Sequence, residues 1–243
     1  MKKLNWLFVA ACLSIMSVFY SCDDNDGYSI GDVGVDWATV RVTGNAFYLN
    51  GDTWGTSWPV NLDLGWYEPV DGQRVIAVFN PIYDNYQGYD HAIKITYLRN
   101  VLTKSVEKMT PENEAEYGND PIRINKGDIA LGGGYMNILF YQNLPAKTKH
   151  RISLVQNESA NNPADGYLHL ELRYNDYDDL TGYYASGLVS FNLGGLDSGK
   201  DIKGIKLKMN SIVNGEVEVI LDKNSKELSR AITDQDFSKM RLK

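Results

Sequence analysis

The stretch LHLELRY at residues 168–174 carries the pattern on which the fold of this chain depends. Its three leucines alternate with His169, Glu171 and Arg173, and this period of two is typical of a β-strand with one buried and one exposed face. Similar short apolar runs, separated by clusters of Gly, Asn, Asp or Pro, lie at residues 136–141, 151–156, 188–193, 205–209 and 217–221. Strands so spaced predict a β-sandwich over residues 121–222.

Residues 35–108 predict a second, compact antiparallel β unit. In its first strand, Ala38, Val40 and Val42 alternate with polar neighbours, which indicates that one face of this strand is buried and the other is in solvent. The Asn-Gly-Asp sequence at residues 50–52 predicts the tight turn of a hairpin.

Two further runs complete this unit. Residues 74–79 are apolar at every position after the first, as expected of a strand that is covered on both faces. In residues 92–102, Ile93, Ile95 and Tyr97 line one side and polar residues line the other. Together with the sandwich, this unit makes the predicted fold class all-β.

The clearest helical signal lies between the two units, in a predicted linker of residues 109–120. Thr110 can accept a hydrogen bond at the helix start, Pro111 suits the first helical position, and Gly118 allows a left-handed end. We predict a helix of one or two turns here and place the domain boundary at it.

Residues 1–21 have the features of a secretion signal. Lys2 and Lys3 precede an apolar run that extends to Tyr20, and a small residue stands directly before Cys22. The run is near the lower limit for a membrane-spanning helix, about 20 apolar residues, and serines interrupt it, so cleavage is predicted and not a permanent span. We predict lipidation of Cys22; the alternative is an ordinary signal peptide with an incidental thiol.

Acylation of Cys22 would anchor the folded body to membrane lipid, because two or more acyl chains hold a protein stably at a bilayer. Residues 22–34 are acidic, rich in Gly and poor in apolar side chains, and predict a flexible tether. The tail at residues 223–243 is polar, with a weak helix predicted around residues 234–240.

The composition fits an exported body. The chain has a formal net charge of −7, which becomes −9 when Lys2 and Lys3 leave with the signal peptide. Backbone phosphates would be repelled, so no nucleic-acid partner is expected. The two cysteines are Cys12, in the signal peptide, and Cys22, so no disulfide is available and the core must hold the fold.

Several sequence stretches resemble a known family. They are CDDNDGYSIGD at residues 22–32, WATVRV at 37–42, TKSV at 103–106, NDPIRI at 119–124 and GGGYMNI at 132–138. In combination they are similar to the NigD-like lipoproteins of gut and oral anaerobes, over nearly the whole chain. The resemblance implies an amino-terminal OB-like barrel and a carboxy-terminal β-sandwich after a cleaved lipoprotein signal peptide.

The resemblance also implies a location and a role. Asp23, Asp24, Asn25 and Asp26 resemble the export signal that carries such lipoproteins to the outer face of the outer membrane. The founding member of the family is associated with a bacteriocin operon, and an immunity role was proposed for it. The implied role is therefore non-catalytic binding or masking by a surface-exposed lipoprotein.

Metal-binding and phosphate-binding patterns are weak. Residues 175–179 carry three carboxylates that suit Ca²⁺ but lack EF-hand spacing, so a solvated loop is the simpler interpretation. Gly132, Gly133 and Gly134 lack the Lys-Ser/Thr of a phosphate-binding loop and indicate a bulge or a close approach of backbone.

Catalytic patterns are weak as well. His91, His150 and His169 have no histidine or cysteine at metal-ligand spacing, and Glu171 with a nearby Asp would only imitate a glycosidase pair. We therefore expect no catalytic residue, no metal, no cofactor and no enzymatic activity.

Aromatic side chains form the remaining candidate site, for a protein or glycan ligand. They are Trp54, Trp58, Trp66, Tyr86 and Tyr89. Aromatic faces on an OB-like barrel can stack against sugars; the alternative is that these rings fill the core and rim of a small barrel.

Three hypotheses of different class follow. The first is a lipid-anchored outer-membrane protein with a binding or masking role that resembles bacteriocin immunity. The second is a glycan-binding accessory module that uses the barrel aromatics. The third is an enzyme, which no constellation in the sequence supports.

Overall fold

The computed structural model describes residues 27–29, 31–144, 147–196 and 202–222. The predicted signal peptide, Cys22 with the export signal after it, and the polar tail lie outside the described residues. Within the described part of the chain, no helix is long and apolar enough to cross a membrane.

Five strands close into the amino-terminal barrel. They are β1 (Gly34–Thr43), β2 (Ala46–Gly51), β3 (Gly55–Pro59), β4 (Arg74–Tyr86) and β5 (Tyr89–Asn100). Their order around the barrel is β1-β2-β3-β5-β4, and all neighbours are antiparallel except β3 and β5. Apolar side chains from β1, β2, β4 and β5, with Leu64 of the connection between β3 and β4, fill the inside, so the barrel has a core of its own.

Nine strands form two sheets that pack as a sandwich. They are β6 (Leu102–Ser105), β7 (Glu107–Met109), β8 (Ile129–Gly132), β9 (Tyr135–Leu144), β10 (Arg151–Asn157), β11 (Tyr167–Asn175), β12 (Tyr183–Asn192), β13 (Gly204–Ser211) and β14 (Gly215–Asp222). One sheet has the order β14-β13-β11-β10-β7 and the other β6-β12-β9-β8.

The alternation in β11 places its side chains as the sequence predicts. Leu170 and Leu172 are buried in the core between the two sheets, and Leu168 packs against its edge. The predicted fold class, all-β with an OB-like barrel followed by a β-sandwich, is confirmed.

The domain boundary lies earlier than predicted. β6 and β7 belong to the sandwich, where β6 pairs in parallel with β12 and β7 in parallel with β10. The barrel therefore ends at Asn100 and not at residue 108, and only Val101 separates it from the sandwich. The partners of β6 and β7 are distant in sequence, so no local pattern marks these two short strands as sandwich strands.

The predicted linker helix is a single turn, α1 (Glu114–Tyr117). The Asn113 side chain accepts a hydrogen bond from the Thr110 amide (2.8 Å), while the Thr110 carbonyl accepts from the amides of Asn113 and Glu114. The sequence predicts the Thr110 hydroxyl as the acceptor at the helix start, but the Thr110 carbonyl takes that part, while the Thr110 side chain hydrogen-bonds to Glu112 and lowers its pKa. Gly118 has the predicted positive φ, +66°.

Both faces of β1 are buried, whereas the sequence predicts that only one face is buried. Ala38 and Val40 point into the barrel core, while Trp37 and Thr39 on the other face are also buried. The second face is covered because the sandwich packs against it. Val42, predicted to be inside, is 41% exposed.

A bulge changes which side chain of β5 enters the core. Val78 lies opposite Tyr97, whereas the next residue, Phe79, lies opposite Ile95, so one residue of β5 is extra. Leu98 therefore packs in the barrel core after Ile95, and Tyr97, predicted on the core side, is half-buried outside it.

An apolar cluster joins the two domains. Trp37 and Ile76 of the barrel and the connecting Val101 pack with Leu139 of β9 and Leu188 of β12. Where the barrel contacts the four-stranded sheet, these side chains are buried from water, which stabilises the contact between the domains.

A buried polar cluster lies beside this apolar one. Arg74 of the barrel is fully buried and makes two parallel hydrogen bonds to Asp52, at 2.9 and 2.7 Å. The guanidinium also donates to Thr39 (3.1 Å) and to Asn137 of the sandwich (3.0 Å), and Asn137 donates to Asp52 (2.8 Å). Ser190 donates to the Asn137 oxygen (2.7 Å) and so completes the polar contacts across the junction.

The turn that carries Asp52 comes later than predicted. Asn50 and Gly51 end β2, and residues 52–54 form the turn. Asp36 holds this turn, because its Oδ2 accepts hydrogen bonds from the amides of Thr53 (3.0 Å) and Trp54 (2.9 Å).

Loss of the Asp52 carboxylate should strongly destabilise the protein. Asp52→Ala leaves the Arg74 charge buried without its partner, and we expect a loss of about 3–5 kcal/mol in the free energy of unfolding, measured by urea denaturation. Glu158→Ala is the control, because its pair with Lys108 is exposed and should contribute less than about 1 kcal/mol. Equal effects of the two substitutions would contradict a special role of the buried pair.

Asp36 should make barrel stability depend on pH. Burial raises the pKa of Asp36 to about 6, despite the two amide hydrogen bonds, whereas an unfolded Asp titrates near about 3.9. Between these values the folded state binds more protons, so stability is highest at low pH and falls as pH rises from about 4 to about 7, by up to about 3 kcal/mol. We expect Asp36→Asn to flatten this profile, as followed by tryptophan fluorescence during urea unfolding at several pH values. A slope that is the same in both proteins would refute the assignment.

Candidate functional site

Three aromatic rings form a continuous strip on the outside of the barrel. The Tyr89 ring, at the start of β5, lies between Tyr48 of β2 and Trp58 of β3, with centroid distances of 5.2 and 4.9 Å. All three side chains are partly exposed. We call Tyr48, Trp58 and Tyr89 the aromatic strip.

Strand alternation places the strip on the outer face. Phe47 and Leu49 are buried on either side of Tyr48, and Ser57 and Pro59 are buried on either side of Trp58. The strip therefore crosses the adjacent strands β2, β3 and β5. The face of strands 2 and 3 is the one that OB folds use for oligosaccharides and oligonucleotides.

A carboxylate lies beside the strip. Asp90, next to Tyr89, accepts hydrogen bonds from the amide (2.7 Å) and the hydroxyl (2.8 Å) of Thr56. These hydrogen bonds lower the pKa of Asp90, which is therefore ionised at neutral pH. Rings and a carboxylate in this arrangement suit stacking and hydrogen bonding to a ligand.

Trp58 and Tyr89 are the two predicted site residues that meet in the strip. Tyr86 lies opposite Tyr89 across the β4–β5 hairpin, and its hydroxyl accepts a hydrogen bond from Gln87 (3.3 Å).

Trp54 occupies a different place, at one end of the barrel. Its ring packs edge-on against Phe79 of the core (5.1 Å) and against His91 (5.0 Å), with Tyr28 of the tether at 6.3 Å. Trp54 therefore closes the barrel end from which the tether emerges.

Trp66 lies near the other end, in the connection between β3 and β4. It is 48% exposed and contacts Tyr67 at a centroid distance of 6.0 Å. Tyr67 packs in turn against Phe47, and burial raises the pKa of its hydroxyl to about 12. The predicted set of five aromatic residues is thus spread over the outer face and both ends of the barrel.

The tether is attached to the barrel at two points. The Tyr28 hydroxyl donates to Asp84 (2.6 Å), whose Oδ1 also binds Nδ1 of His91 (2.7 Å). The Asp32 carbonyl accepts a hydrogen bond from the Asn80 side chain (2.8 Å). The hydrogen bond from Tyr28, followed by that from His91, lowers the pKa of Asp84, while partial burial and the Asp84 charge raise the pKa of Tyr28 to about 12.

These contacts correct the expectation of a flexible tether up to residue 34. Residues 27–29 lie along β4 with a groove of about 670 Å³ between them, lined also by residues 80–84 and Lys94. The acidic, Gly-rich composition of the tether does not reveal such contacts, because their partners are more than forty residues away in the sequence.

The glycine run at residues 132–134 makes the close approach that its composition indicates. Gly133 and Gly134 form the β8–β9 turn with positive φ values of +56° and +83°. A side chain at Gly132 or Gly133 would clash with the Asp52 carboxylate, so the run leaves space for the buried ion pair.

Two of the three carboxylates of residues 175–179 hold this loop by accepting hydrogen bonds. Asp176 accepts from the Asp178 amide (2.8 Å), and Asp179 accepts from Thr148 (2.7 Å) and Thr181 (2.6 Å). The hydrogen bonds to Asp179, chiefly that from Thr181, lower its pKa to about 2. Across the described residues, no three His, Cys, Asp or Glu side chains come together in a way that could hold a metal ion.

The histidines lie in separate hydrogen-bonded positions. His91 binds Asp84, His150 binds the Tyr174 hydroxyl, and His169 binds Asp165 (3.1 Å). Each ring is thus held by a structural neighbour.

Sequence reasoning missed Tyr48. Its position between two buried residues of β2 could have identified it, since alternation alone turns it outward on the same face as Trp58.

Family models match the two domains. The NigD-like N-terminal OB domain matches residues 37–101, and the NigD-like C-terminal beta sandwich domain matches residues 105–223. The chain belongs to the NigD-like family. Comparison with curated proteins gives no match.

Solved structures similar to this NigD-like protein come from related bacteria. A protein of unknown function from Bacteroides vulgatus is 27% identical, with a TM-score of 0.72 and coverage of 81% of this chain and 94% of that one. A toxin-related protein from Parabacteroides distasonis is 31% identical, with a TM-score of 0.64 and coverage of 84% and 100%. A NigD-like immunity protein from Bacteroides caccae is 17% identical, with a TM-score of 0.56 and coverage of 79% and 94%, and shows the shared fold.

Truncation of Trp54 and of Trp58 should have different effects on stability, because the first lies at the barrel end and the second in the aromatic strip. We expect Trp54→Ala to lower the free energy of unfolding by about 2–3 kcal/mol, because this ring packs on the core. Trp58→Ala should cost about 1 kcal/mol, since mainly its contact with Tyr89 is lost. Urea denaturation measures both; a larger loss for Trp58→Ala would place that ring in the core and not in a binding surface.

Proposed function

We propose that this NigD-like protein is a lipid-anchored outer-membrane protein that binds or masks a macromolecule without catalysis, in an immunity-like role. The observation that carries the proposal is the aromatic strip of Tyr48, Trp58 and Tyr89 across β2, β3 and β5. Partly exposed aromatic rings of this kind are enriched where proteins bind partners, because they contribute large contact area at low entropic cost.

The immunity-like part of the proposal draws support from the family. Related structures include proteins described as a NigD-like immunity protein and as a toxin-related protein. A protein of this kind would protect its host by occupying a toxin or by covering the toxin's target at the cell surface.

The anchor is supported by the leader sequence. A basic start at Lys2 and Lys3, an apolar run and a small residue before Cys22 suit acylation of that cysteine, and the acidic residues 23–26 suit export to the outer leaflet.

A genetic test separates binding at the strip from other roles. Deletion of the gene should raise sensitivity to bacteriocins prepared from competing strains. The wild-type gene and a Trp66→Ala variant should restore protection, because Trp66 is exposed but outside the strip. Trp58→Ala with Tyr89→Ala should fail to restore it while reaching the same surface level. Unchanged sensitivity after deletion would remove the immunity-like role.

Glycan binding is a second candidate, favoured by the spacing of the strip. Adjacent rings with centroids about 5 Å apart offer faces on which a sugar chain can stack. Titration of glycans into the protein, followed by tryptophan fluorescence, should then give saturable binding that Tyr48→Ala weakens. Poor growth of the deletion strain on one polysaccharide, with unchanged bacteriocin sensitivity, would favour this candidate over the first.

A further inference from the structure

The tether leaves the barrel in a fixed direction. Asp32 lies beside Asn80 and Tyr28 lies beside Asp84, so the tether runs antiparallel to β4. From Asp32 back to Tyr28, the chain therefore proceeds toward the tip of the β4–β5 hairpin. The described chain therefore approaches Tyr28 from the side of that tip.

The remaining chain is short. Gly27 is five residues after Cys22, and five extended residues span at most about 17 Å. The hairpin tip at Gln87 and Gly88 extends about 10–13 Å of strand beyond Asp84. Measured along β4, the tip therefore lies within about 10 Å of the farthest point that Cys22 can reach with the tether fully extended. This distance is comparable with the thickness of the headgroup layer, about 5–8 Å on each side of a bilayer.

The chemistry of the tip suits that layer. Tyr86 lies next to the turn and Tyr89 follows it, and tyrosine rings are favoured where apolar surface meets water at a membrane. Two carboxylates flank these tyrosines and are held by hydrogen bonds, Asp84 by Tyr28 and His91 and Asp90 by Thr56.

We propose that the tip of the β4–β5 hairpin rests on the lipid headgroups around the acylated Cys22, because the tether contacts at Tyr28 and Asp32 hold the barrel in this orientation. The inference rests on the lipid anchor of the proposed function and deepens it. The aromatic strip begins at Tyr89, directly after the turn at the tip. A ligand of the strip would therefore bind close to the lipid surface. A toxin or glycan that itself reaches the outer leaflet is the class of partner that this placement favours.

A position at the opposite end of the barrel provides a control. β1 starts at Gly34, opposite Phe79 of β4, and runs antiparallel to β4, away from the hairpin tip. Its other end pairs with β2, so the β1–β2 turn at residues 44 and 45 lies at the barrel end opposite the tip.

The test uses the chain from Cys22 to Lys243, coupled through Cys22 to maleimide lipid in phosphatidylcholine vesicles that contain nitroxide-headgroup lipid. A fluorescent amino acid replaces Gln87 at the hairpin tip or Asn45 in the β1–β2 turn, both exposed. We expect the nitroxide to quench fluorescence at position 87 and to leave position 45 unquenched. Equal quenching at the two positions would overturn the proposal.

The tether contacts are tested in the same vesicles. Tyr28→Phe with Asn80→Ala removes both side-chain hydrogen bonds to or from the tether, and quenching at position 87 should be lost. Tyr183→Phe is the matched control, because this exposed tyrosine of β12 lies outside the strip and the tether contacts; it should leave quenching unchanged. Quenching that survives in the double variant would overturn the orienting role of the tether contacts.

Because the protein is coupled to lipid chemically, the vesicle experiment tests the orientation of the barrel independently of whether Cys22 is acylated in the native bacterium. The mass of the mature amino terminus from the native bacterium shows whether Cys22 is acylated. An unmodified terminus with the expected quenching pattern would refute the anchor and keep the orientation encoded in the fold, whereas an acylated terminus without that pattern would do the reverse.

Discussion

The ion pair between Arg74 and Asp52 is the interaction on which the junction of barrel and sandwich depends. Both side chains belong to the barrel, yet Asn137 of the sandwich hydrogen-bonds to each of them, and the Tyr135 ring lies 4.4 Å from the guanidinium carbon. Withdrawing two charges from water costs several kcal/mol per ion, which only good geometry and further hydrogen bonds can offset. Two parallel bonds and the Asn137 amide provide that geometry, although Nε of Arg74 has no hydrogen-bond partner among the described residues.

The sequence around this pair is arranged to make room for it and to hold it. Asp36 fixes the turn that carries Asp52, and two glycines of the β8–β9 turn leave the volume that the carboxylate occupies. A larger residue at either glycine would push the carboxylate off the guanidinium. A carboxylate buried at Asp36 is itself costly, so part of the barrel's stability is given up to position a turn that the second domain needs.

Much of this fold could be read from alternation, because each strand that faces a core on one side and water on the other leaves a period of two. Alternation predicts β11 in this way, whereas short apolar runs between clusters of turn residues predict the other long sandwich strands, β9, β10, β12, β13 and β14. The pattern fails where a second body covers the strand, as at Trp37 and Thr39, and where a bulge shifts the phase, as at Leu98. In the candidate site, Trp58 and Tyr89 could be selected by residue type and Tyr48 by alternation, whereas the position of Trp54 at the barrel end and the Tyr28 contact depend on pairings between distant segments.

The connection between the domains has a mechanical consequence. Val101 alone links β5 to β6, and it is buried in the apolar cluster at the junction. A hinge needs a few residues that can change their backbone angles without breaking strand pairs, and this joint has none to spare. A force that a bound macromolecule applies to the barrel would therefore move the barrel and the sandwich together as one rigid body.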